Sequence, residues 1–433
     1  MDLNSIEPLS EIKLIVKNKE YKGIILPPEK DNLILKLKSG YNLSFNKKNI
    51  SSIEIIGKVK MKSTKINNPT SKYDTDAITI IHTGGTISSK VDYKTGAVSA
   101  SFDPNTLLEL FPELNSIAKI ESEFIANILS DNFRFHHFNE IAKAIHKRVL
   151  KNQKKFIVTS GTDFLHYTSA ALSFLLKDLP IAVLVVGSQR SSDRASSDAA
   201  ENLINAAYFL ENSTFEGVGV CMHSSSSDGE CNILPGLNVR KMHSSRRDAF
   251  KPINNEQIAT VNYNKKSIVM NKKLNYFIVK EIPKTISLFK ENLKVGIIYS
   301  HPQFYAEELN IYDKFDGLVL AGSGLGNFPI MEVDEKSKEH KKIYSKIKSL
   351  AKSIPLVMST QTISGPVNLN VYTPLRMLND AGVIGHLSTM TTETSFIKLA
   401  YLLSTAKKED IKQLFLTNIL GELDSEKYFS FDE

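Results

Sequence analysis

One stretch of ten residues constrains the fold more than any other, because residues 78–87 read ITIIHTGGTI. Its first four residues are β-branched, which is typical of a short strand buried on both faces of a sheet. Gly84 and Gly85 then permit a tight turn and a close approach of a ligand to the backbone. Thr86 follows at the carboxyl end of the predicted strand, where open parallel sheets bind their ligands. Two interpretations stand at this point: Thr86 is a catalytic nucleophile, or the stretch is an ordinary turn whose threonines bond backbone groups.

The composition is that of a globular protein. The 433 residues are 42% apolar and 23% charged, and the chain is long enough for two or three domains with separate cores. No run approaches about 18 apolar residues, so no membrane span is predicted, and the polar first residues lack the pattern of a signal peptide. Cys221 and Cys231 are the only cysteines, too few for a disulfide framework or a four-thiolate metal site. The sequence therefore predicts a cytoplasmic protein.

The positive charge is concentrated at the amino terminus. Residues 1–72 contain 14 lysines and 7 carboxylates, whereas the remainder contains 40 residues of each sign, so the formal excess of +7 lies entirely in this segment. A basic module of this kind favours an anionic partner such as nucleic acid. The alternative is a lysine-rich surface without a specific partner.

Residues 11–56 have the pattern of a small β domain. Five short strand-like runs are separated by turn-forming pairs such as Pro27-Pro28. This pattern predicts a barrel of SH3-like size, and the lack of histidine and cysteine in it favours binding over catalysis. Residues 57–75 are polar without apolar periodicity, as in a linker. We predict that residues 1–72 form a small β-barrel docking domain plus linker.

From Asp76 onward, strand-like and helix-like patterns alternate, which is typical of an α/β fold. The predicted strands are residues 78–85, 154–163, 180–190, 217–223, 267–279, 294–300, 315–324 and 355–360. The predicted helices include residues 138–150, 197–212, 396–404 and 408–418, with Ser197-Asp198 as the cap of the second. We predict an N-terminal α/β domain over residues 73–290 and a C-terminal α/β domain over residues 291–433.

Four loops at predicted strand ends carry residues suited to catalysis: residues 83–86 (TGGT), 129–132 (LSDN), 160–163 (SGTD) and 239–250 (VRKMHSSRRDAF). A threonine hydroxyl is a weak nucleophile that needs a nearby base. A lysine close to a carboxylate can relay a proton, so Lys241 and Asp163 could activate Thr162. Glycine-bordered loops also leave backbone N–H groups free to stabilise an oxyanion. Taken singly, each loop is also typical of a turn or of a solvated surface segment without a catalytic role.

Taken together, TGGTI, SGTD and VRKMHSSRRDAF resemble, in order and spacing, the motifs of the bacterial-type L-asparaginase family. The resemblance implies a two-domain asparaginase/glutaminase-like α/β fold. It also implies cleavage of a side-chain amide through an acyl-enzyme, with release of ammonia and without a metal or cofactor. The catalytic residues that it implies are Thr86 as nucleophile, Thr162, Asp163 and Lys241. Which threonine attacks first stays open.

The predicted substrate-binding residues are Gly85, Tyr93, Ser130 and Asp131. Tyr93 matches the lid tyrosine of the family, and residues 88–101 around it are polar and long enough to act as a mobile lid. Ser130 matches a substrate-binding serine.

A narrower resemblance covers nearly the whole chain. The segments GIILPPEKDNLILKLKSGYN, VGSQRSSDRASSDAAENL and RKMHSSRRDAFKP and the end around TNILGEL resemble the D subunits of archaeal glutamyl-tRNA(Gln) amidotransferases. This family implies hydrolysis of glutamine or asparagine, and a partner E subunit that uses ATP and Mg with the released ammonia to convert Glu-tRNA(Gln) to Gln-tRNA(Gln). It also implies a homodimer within a heterotetramer that contacts tRNA(Gln). The chain lacks a G-x-x-x-x-G-K-[ST] motif, in agreement with ATP sites on the partner.

Three positions in the C-terminal domain bear on interfaces. The resemblance leads us to expect an arginine at Pro366 and a proline at Thr392, and the sequence departs from it at both. Asn327 lies in GSGLGNFP, where it could reach across a dimer to a neighbouring site. These positions concern the rim of the site rather than the four catalytic loops.

Two other functions remain open. A free-standing cytoplasmic L-asparaginase would share the threonine, aspartate and lysine set, but it has no evident use for the N-terminal barrel. A non-catalytic RNA-binding or scaffold protein would not need that set, which the sequence retains.

Overall fold

The computed structural model describes residues 10–29, 32–37, 42–58, 74–84, 89–91, 98–100, 111, 113–190, 196–271 and 282–423. Gly85, Thr86 and Tyr93, three of the predicted site residues, lie outside these ranges. None of the helices within the ranges is both long and apolar enough to cross a membrane.

The N-terminal region forms a five-stranded antiparallel sheet. Its strands are β1 (Ser10–Val16), β2 (Lys19–Glu29), β3 (Asn32–Leu37), β4 (Asn42–Asn46) and β5 (Ile50–Lys58). They lie in the order β4-β3-β2-β1-β5. Alternate residues of β1 are buried, so Ile12, Leu14 and Val16 pack in a small core with Leu33 and Leu35. The predicted five-stranded N-terminal domain is confirmed.

The described strands of the second region are β6 (Ile78–His82), β7 (Ser89–Val91), β8 (Val98–Ala100), β9 (Ile120–Phe124), β10 (Lys155–Thr159), β11 (Ala182–Val186), β12 (Gly217–His223), β13 (Cys231–Pro235), β14 (Val239–Lys241), β15 (Phe250–Pro252), β16 (Ala259–Asn262) and β17 (Ser267–Met270). Eight of them form one sheet in the order β17-β16-β13-β12-β11-β10-β6-β9, of which the last five strands are parallel. Two hairpins, β7-β8 and β14-β15, lie outside this sheet.

A third region has a parallel sheet of three strands, β18 (Val295–Tyr299), β19 (Gly317–Gly322) and β20 (Leu356–Thr360), in that order. The helices that the structure describes are α1 (Glu113–Ile117), α2 (Phe135–Val149), α3 (Leu165–Leu175), α4 (Ala199–Asn212), α5 (Glu339–Ser353), α6 (Thr373–Asp380), α7 (Thr392–Thr405) and α8 (Ile411–Leu416). The two-domain α/β fold with an N-terminal β region is therefore confirmed. The domain limits predicted at residues 72 and 290 stay predictions.

The central strands of the large sheet are buried on both faces. All five residues of β6 are buried, and they alternate between two cores. Ile80 packs in the same core as Leu203 of α4, whereas Ile81 packs in the core that contains Leu172 of α3. Burial on both faces is what the continuous β-branched run predicts, and it makes β6 a rigid support for the loop that follows.

Some elements differ from the prediction. The segment 408–418 contains a 3-10 turn (Lys408–Asp410) and the short helix α8 instead of one continuous helix. The strand predicted over residues 267–279 is observed as β17, and residues 272–280 lie outside the described residues. The sequence pattern does not predict α3, because ten of its eleven residues are buried and an apolar helix of this kind has no polar face to reveal its period.

Candidate active site

The TGGT and SGTD loops leave the sheet side by side. β6 and β10 are parallel neighbours, with His82 opposite Thr159, so both chains turn at the same edge. Beyond β6 the buried Thr83 donates a hydrogen bond from Oγ1 to the carbonyl oxygen of Thr159 at 2.6 Å. Gly84 has φ of +124°, and a Cβ there would lie 2.2 Å from the carbonyl oxygen of Ile128, so only glycine fits this turn. The predicted nucleophile Thr86 is two residues farther on.

The SGTD loop and the predicted lysine meet in space. Lys241 Nζ donates hydrogen bonds to Thr162 Oγ1 at 2.9 Å and to Asp163 Oδ1 at 2.8 Å. The Lys241 side chain is 10% exposed, whereas that of Asp163 is 71% exposed. An amine held between a hydroxyl and a carboxylate can accept a proton from the hydroxyl, and the ammonium group that results can return it. Three of the four predicted catalytic side chains are therefore in mutual contact.

Ser130 lies against the same loop. It is buried in the 3-10 turn Ser130–Asn132, and its Oγ accepts a hydrogen bond from Phe164 N at 3.0 Å. A Cβ at Gly161 would lie 2.9 Å from Ser130 Oγ, so this approach also depends on glycine. Asp131, the next residue, is exposed. The substrate-binding roles of Ser130 and Asp131 stay predictions.

Gln189 is a neighbour of the site to which the sequence analysis assigns no role, although it stands in the segment VGSQRSSDRASSDAAENL. Its Oε1 lies 3.5 Å from Thr162 Oγ1, and its buried Nε2 has no hydrogen-bond partner among the described residues. The loop that carries it is fixed by Asp198, whose buried carboxylate accepts hydrogen bonds from the backbone N–H groups of Gln189 and Arg190, each at 3.0 Å.

The predicted cap of α4 is therefore wrong for Asp198. Its carboxylate makes no capping bond to the helix and instead satisfies backbone donors of the preceding loop. Ser197 Oγ accepts a hydrogen bond from Ala199 N at 3.2 Å. A carboxylate before an apolar helix resembles a cap in the sequence, and only the tertiary fold distinguishes the two roles.

One group of side chains has the spacing of cation ligands: Glu201, His223 and Asp228. His223 Nδ1 lies 2.6 Å from Asn202 Oδ1, and its Nε2 lies 2.9 Å from a Glu201 carboxylate oxygen. Burial disfavours the imidazolium, but Cys231, Asp198 and Glu201 outweigh it and raise the pKa of His223. Asp228 pairs with the Arg247 guanidinium. The group is thus satisfied by ion pairs between its own side chains and a neighbouring arginine.

Two buried histidines make folding sensitive to acid. Burial lowers the pKa of His82 and of His166 from 6.5 to about 4, so both rings are neutral in the folded chain. Below pH 6.5 the unfolded chain binds more protons than the folded chain. The free energy of unfolding is therefore expected to fall between pH 6.5 and about pH 4, by on the order of 3 kcal/mol per histidine, with no further loss from this source below that window.

Urea denaturation at pH 7.5, 5.5 and 4 measures this loss. A His166→Asn variant should lose less free energy of unfolding over the same window, because one of the two groups no longer titrates. An unchanged loss in that variant would contradict the assignment of His166.

Three family profiles together cover most of the chain. That described as "Asparaginase, N-terminal" matches residues 77–276, and "Glutaminase/Asparaginase C-terminal domain" matches residues 294–415. The profile "GatD N-terminal domain" matches residues 6–56, which include β1 to β4 and most of β5.

Individual proteins agree with the profiles. The D subunit of the glutamyl-tRNA(Gln) amidotransferase of Methanococcus maripaludis is 37% identical over 95% of this chain and 97% of that protein. The D subunit of the same enzyme of Saccharolobus solfataricus is 36% identical over 93% of this chain and 89% of its own length.

Solved structures of asparaginases share the fold. The thermostable L-asparaginase from Thermococcus kodakarensis is similar with a TM-score of 0.67 and 30% identity, over 80% of this chain and 99% of that one. The probable cytoplasmic L-asparaginase from Campylobacter jejuni gives a TM-score of 0.64 and 25% identity, over 79% of this chain and 100% of that one. Because the amidotransferase relatives match along nearly their whole length, this chain belongs to the D-subunit family of glutamyl-tRNA(Gln) amidotransferases and carries the asparaginase-type catalytic domain of that enzyme.

Proposed function

We propose that this chain hydrolyses glutamine, or asparagine, through a threonine acyl-enzyme and supplies the ammonia to a partner E subunit. That partner would use ATP and Mg to convert Glu-tRNA(Gln) to Gln-tRNA(Gln), and this chain would need no metal or cofactor of its own. The observation that carries the proposal is the contact of Lys241 Nζ with both Thr162 Oγ1 and Asp163 Oδ1.

In the proposed reaction Thr86 Oγ attacks the side-chain amide carbon, and its proton passes to the pair formed by Thr162 and neutral Lys241. Asp163 favours the ammonium that results, because opposite charges at this separation stabilise each other. The proton then moves to the leaving nitrogen, the carbon–nitrogen bond breaks and ammonia departs. Water cleaves the ester, which releases the acid and restores the Thr86 hydroxyl.

Binding of the amide donor is assigned to the predicted residues Gly85, Tyr93, Ser130 and Asp131. Tyr93 would cover the site from the lid, and the rigid contact of Ser130 with the SGTD loop supports a role in orienting the substrate. The basic N-terminal domain would dock the chain to the E subunit or to tRNA(Gln), and the assembled enzyme would be a homodimer of this chain within a heterotetramer.

The test uses the complete complex. With the E subunit, ATP, Mg, glutamine and Glu-tRNA(Gln), the wild-type chain should form Gln-tRNA(Gln). A Thr86→Val variant should lose glutamine-dependent product, whereas ammonium chloride should restore product formation because it bypasses the amidase step. Failure of ammonium to rescue Thr86→Val would contradict a role confined to ammonia production.

The runner-up is a free-standing L-asparaginase, favoured by the similarity to two solved asparaginases. It predicts full asparagine hydrolysis by the chain alone and no dependence on the E subunit or tRNA. Hydrolysis of asparagine and glutamine, each measured with and without the partner and tRNA, separates the two functions.

A further inference from the structure

The strand that carries Lys241 has little support from its own sheet. β14 is three residues long, and among the described strands it pairs with β15 alone, outside the eight-stranded sheet. Val239 at its start is buried, and Met242 N, just beyond its end, donates a hydrogen bond to the Ala249 carbonyl oxygen at 2.6 Å. A hairpin this short does not by itself fix the position of a lysine at its tip.

The first turn of α7, in the C-terminal region, contacts the segment around Lys241. Thr394 Oγ1 donates a hydrogen bond to the Leu237 carbonyl oxygen at 2.7 Å. Arg240 Nη2 lies 3.2 Å from Glu393 Oε1, so the residue next to Lys241 is paired across the two regions. Glu393 lies at the amino end of α7, where the helix dipole favours a carboxylate.

Glu393 is the buried member of this ion pair, whereas the Arg240 side chain is 27% exposed. The Glu393 side chain is 8% exposed, and its Oε2 has no hydrogen-bond partner among the described residues. His166 Nε2 lies 4.0 Å from Glu393 Oε1, but burial lowers the pKa of His166 to about 4 and keeps the ring neutral. Burial and the Glu393 carboxylate raise the pKa of Tyr167 and of Tyr299, so both hydroxyls stay protonated. Arg240 is therefore the cation that balances Glu393.

We propose that Arg240 and Glu393 form an inter-domain positioning pair that holds the Lys241 ammonium against Thr162 and Asp163. The C-terminal region would then control the amidase directly, since a shift of α7 moves β14 with it. This proposal rests on the function proposed above, and it deepens that function by identifying where a partner bound to the C-terminal region could act on hydrolysis. Arg240 and Glu393 touch no reacting atom and are positioning residues.

The steady-state kinetics of glutamine hydrolysis by the assembled complex test the proposal. In Glu393→Gln the kcat is expected to fall roughly 10- to 100-fold with little change in the KM for glutamine, since the hairpin loses its anchor while the amide donor keeps its own contacts. Arg240→Met should lower kcat to a similar extent. The double variant Arg240→Met/Glu393→Gln should lower kcat no further than either single variant does, because the two side chains act as one pair.

Two further variants serve as controls. Glu393→Asp retains the charge, so its kcat should stay closer to the wild-type value than that of Glu393→Gln. Glu291→Gln removes the carboxylate of an exposed pair with His136, 3.0 Å apart, and should leave kcat and KM unchanged. A wild-type kcat in Glu393→Gln, or additive losses in the double variant, would overturn the positioning role. A Lys241→Met variant with wild-type hydrolysis would instead overturn the proposed function itself, which keeps the two failures distinct.

Discussion

Replacement of Lys241 by methionine is expected to lower the kcat of glutamine hydrolysis by roughly 10³-fold, which is typical of the loss of a positioned acid–base group. Methionine keeps most of the volume of the lysine side chain but cannot bond Thr162 Oγ1 and Asp163 Oδ1, which Lys241 Nζ contacts at 2.9 and 2.8 Å. The Thr162 hydroxyl then has no amine to which it can pass a proton, and no ammonium group is available to protonate the leaving nitrogen. Steady-state release of glutamate by the complex measures the effect.

Lys251 offers a matched control on the partner strand β15. It lies opposite Arg240 in the hairpin, and its ammonium contacts the Ser224 carbonyl oxygen at 3.2 Å and Asp248 at 3.4 Å, away from Thr162. Lys251→Met should therefore keep kcat within about twofold, because the Lys251 side chain is partly exposed and Asp248 retains its ion pair with Arg246 at 2.9 Å. Ammonium-dependent formation of Gln-tRNA(Gln) should persist in Lys241→Met. If Lys241→Met hydrolysed glutamine at more than about a tenth of the wild-type rate, Lys241 could not be the proton carrier.

Much of the fold can be predicted from local patterns. The β-branched run of β6 and the apolar run of β11 occur as fully buried strands, because a strand covered on both faces has to be apolar throughout. The alternation of strands and helices predicts the α/β class, because helices between parallel strands cover both faces of the sheet. Helix α3 escapes prediction because it is buried on nearly all sides and has no amphipathic period.

The candidate site likewise contains residues that sequence motifs indicate and residues whose contact depends on the tertiary fold. Thr162, Asp163 and Lys241 could be identified because they stand in motifs whose order along the chain resembles that of a known family, and the structure brings these three together. Arg240 and Glu393 were not identified in this way, because their contact depends on the packing of one region against another. An isolated charged residue in a sequence is usually solvated, so no local pattern distinguishes a buried pair before the fold is known.

One helix, α7, contacts the segment around Lys241 and also carries a buried ion pair of the C-terminal region. α7 contacts the lysine hairpin through its first turn, and farther along it carries Lys398, which is fully buried. Lys398 Nζ bonds a Glu422 carboxylate oxygen at 2.5 Å and the Thr417 carbonyl oxygen at 2.6 Å. The backbone of Glu422 in turn contacts the segment before the hairpin, since Asn238 Nδ2 donates a hydrogen bond to the Glu422 carbonyl oxygen at 3.3 Å. Residues 417–422 thus contact both α7 and the segment that leads to β14.

Replacement of Lys398 by methionine is expected to lower the free energy of unfolding of α7 and its surroundings by about 3–5 kcal/mol, because it leaves the buried Glu422 carboxylate without its cation. Native-state hydrogen exchange of the α7 amides measures this loss locally. Lys346→Met is the matched control, since Lys346 pairs with the exposed Asp313 and should cost less than about 1 kcal/mol. A double variant Lys398→Met/Glu422→Gln should recover part of the loss, because no buried charge stays unpaired. If Lys398→Met destabilised α7 no more than Lys346→Met does, the buried pair would not be what holds residues 417–422 on this helix.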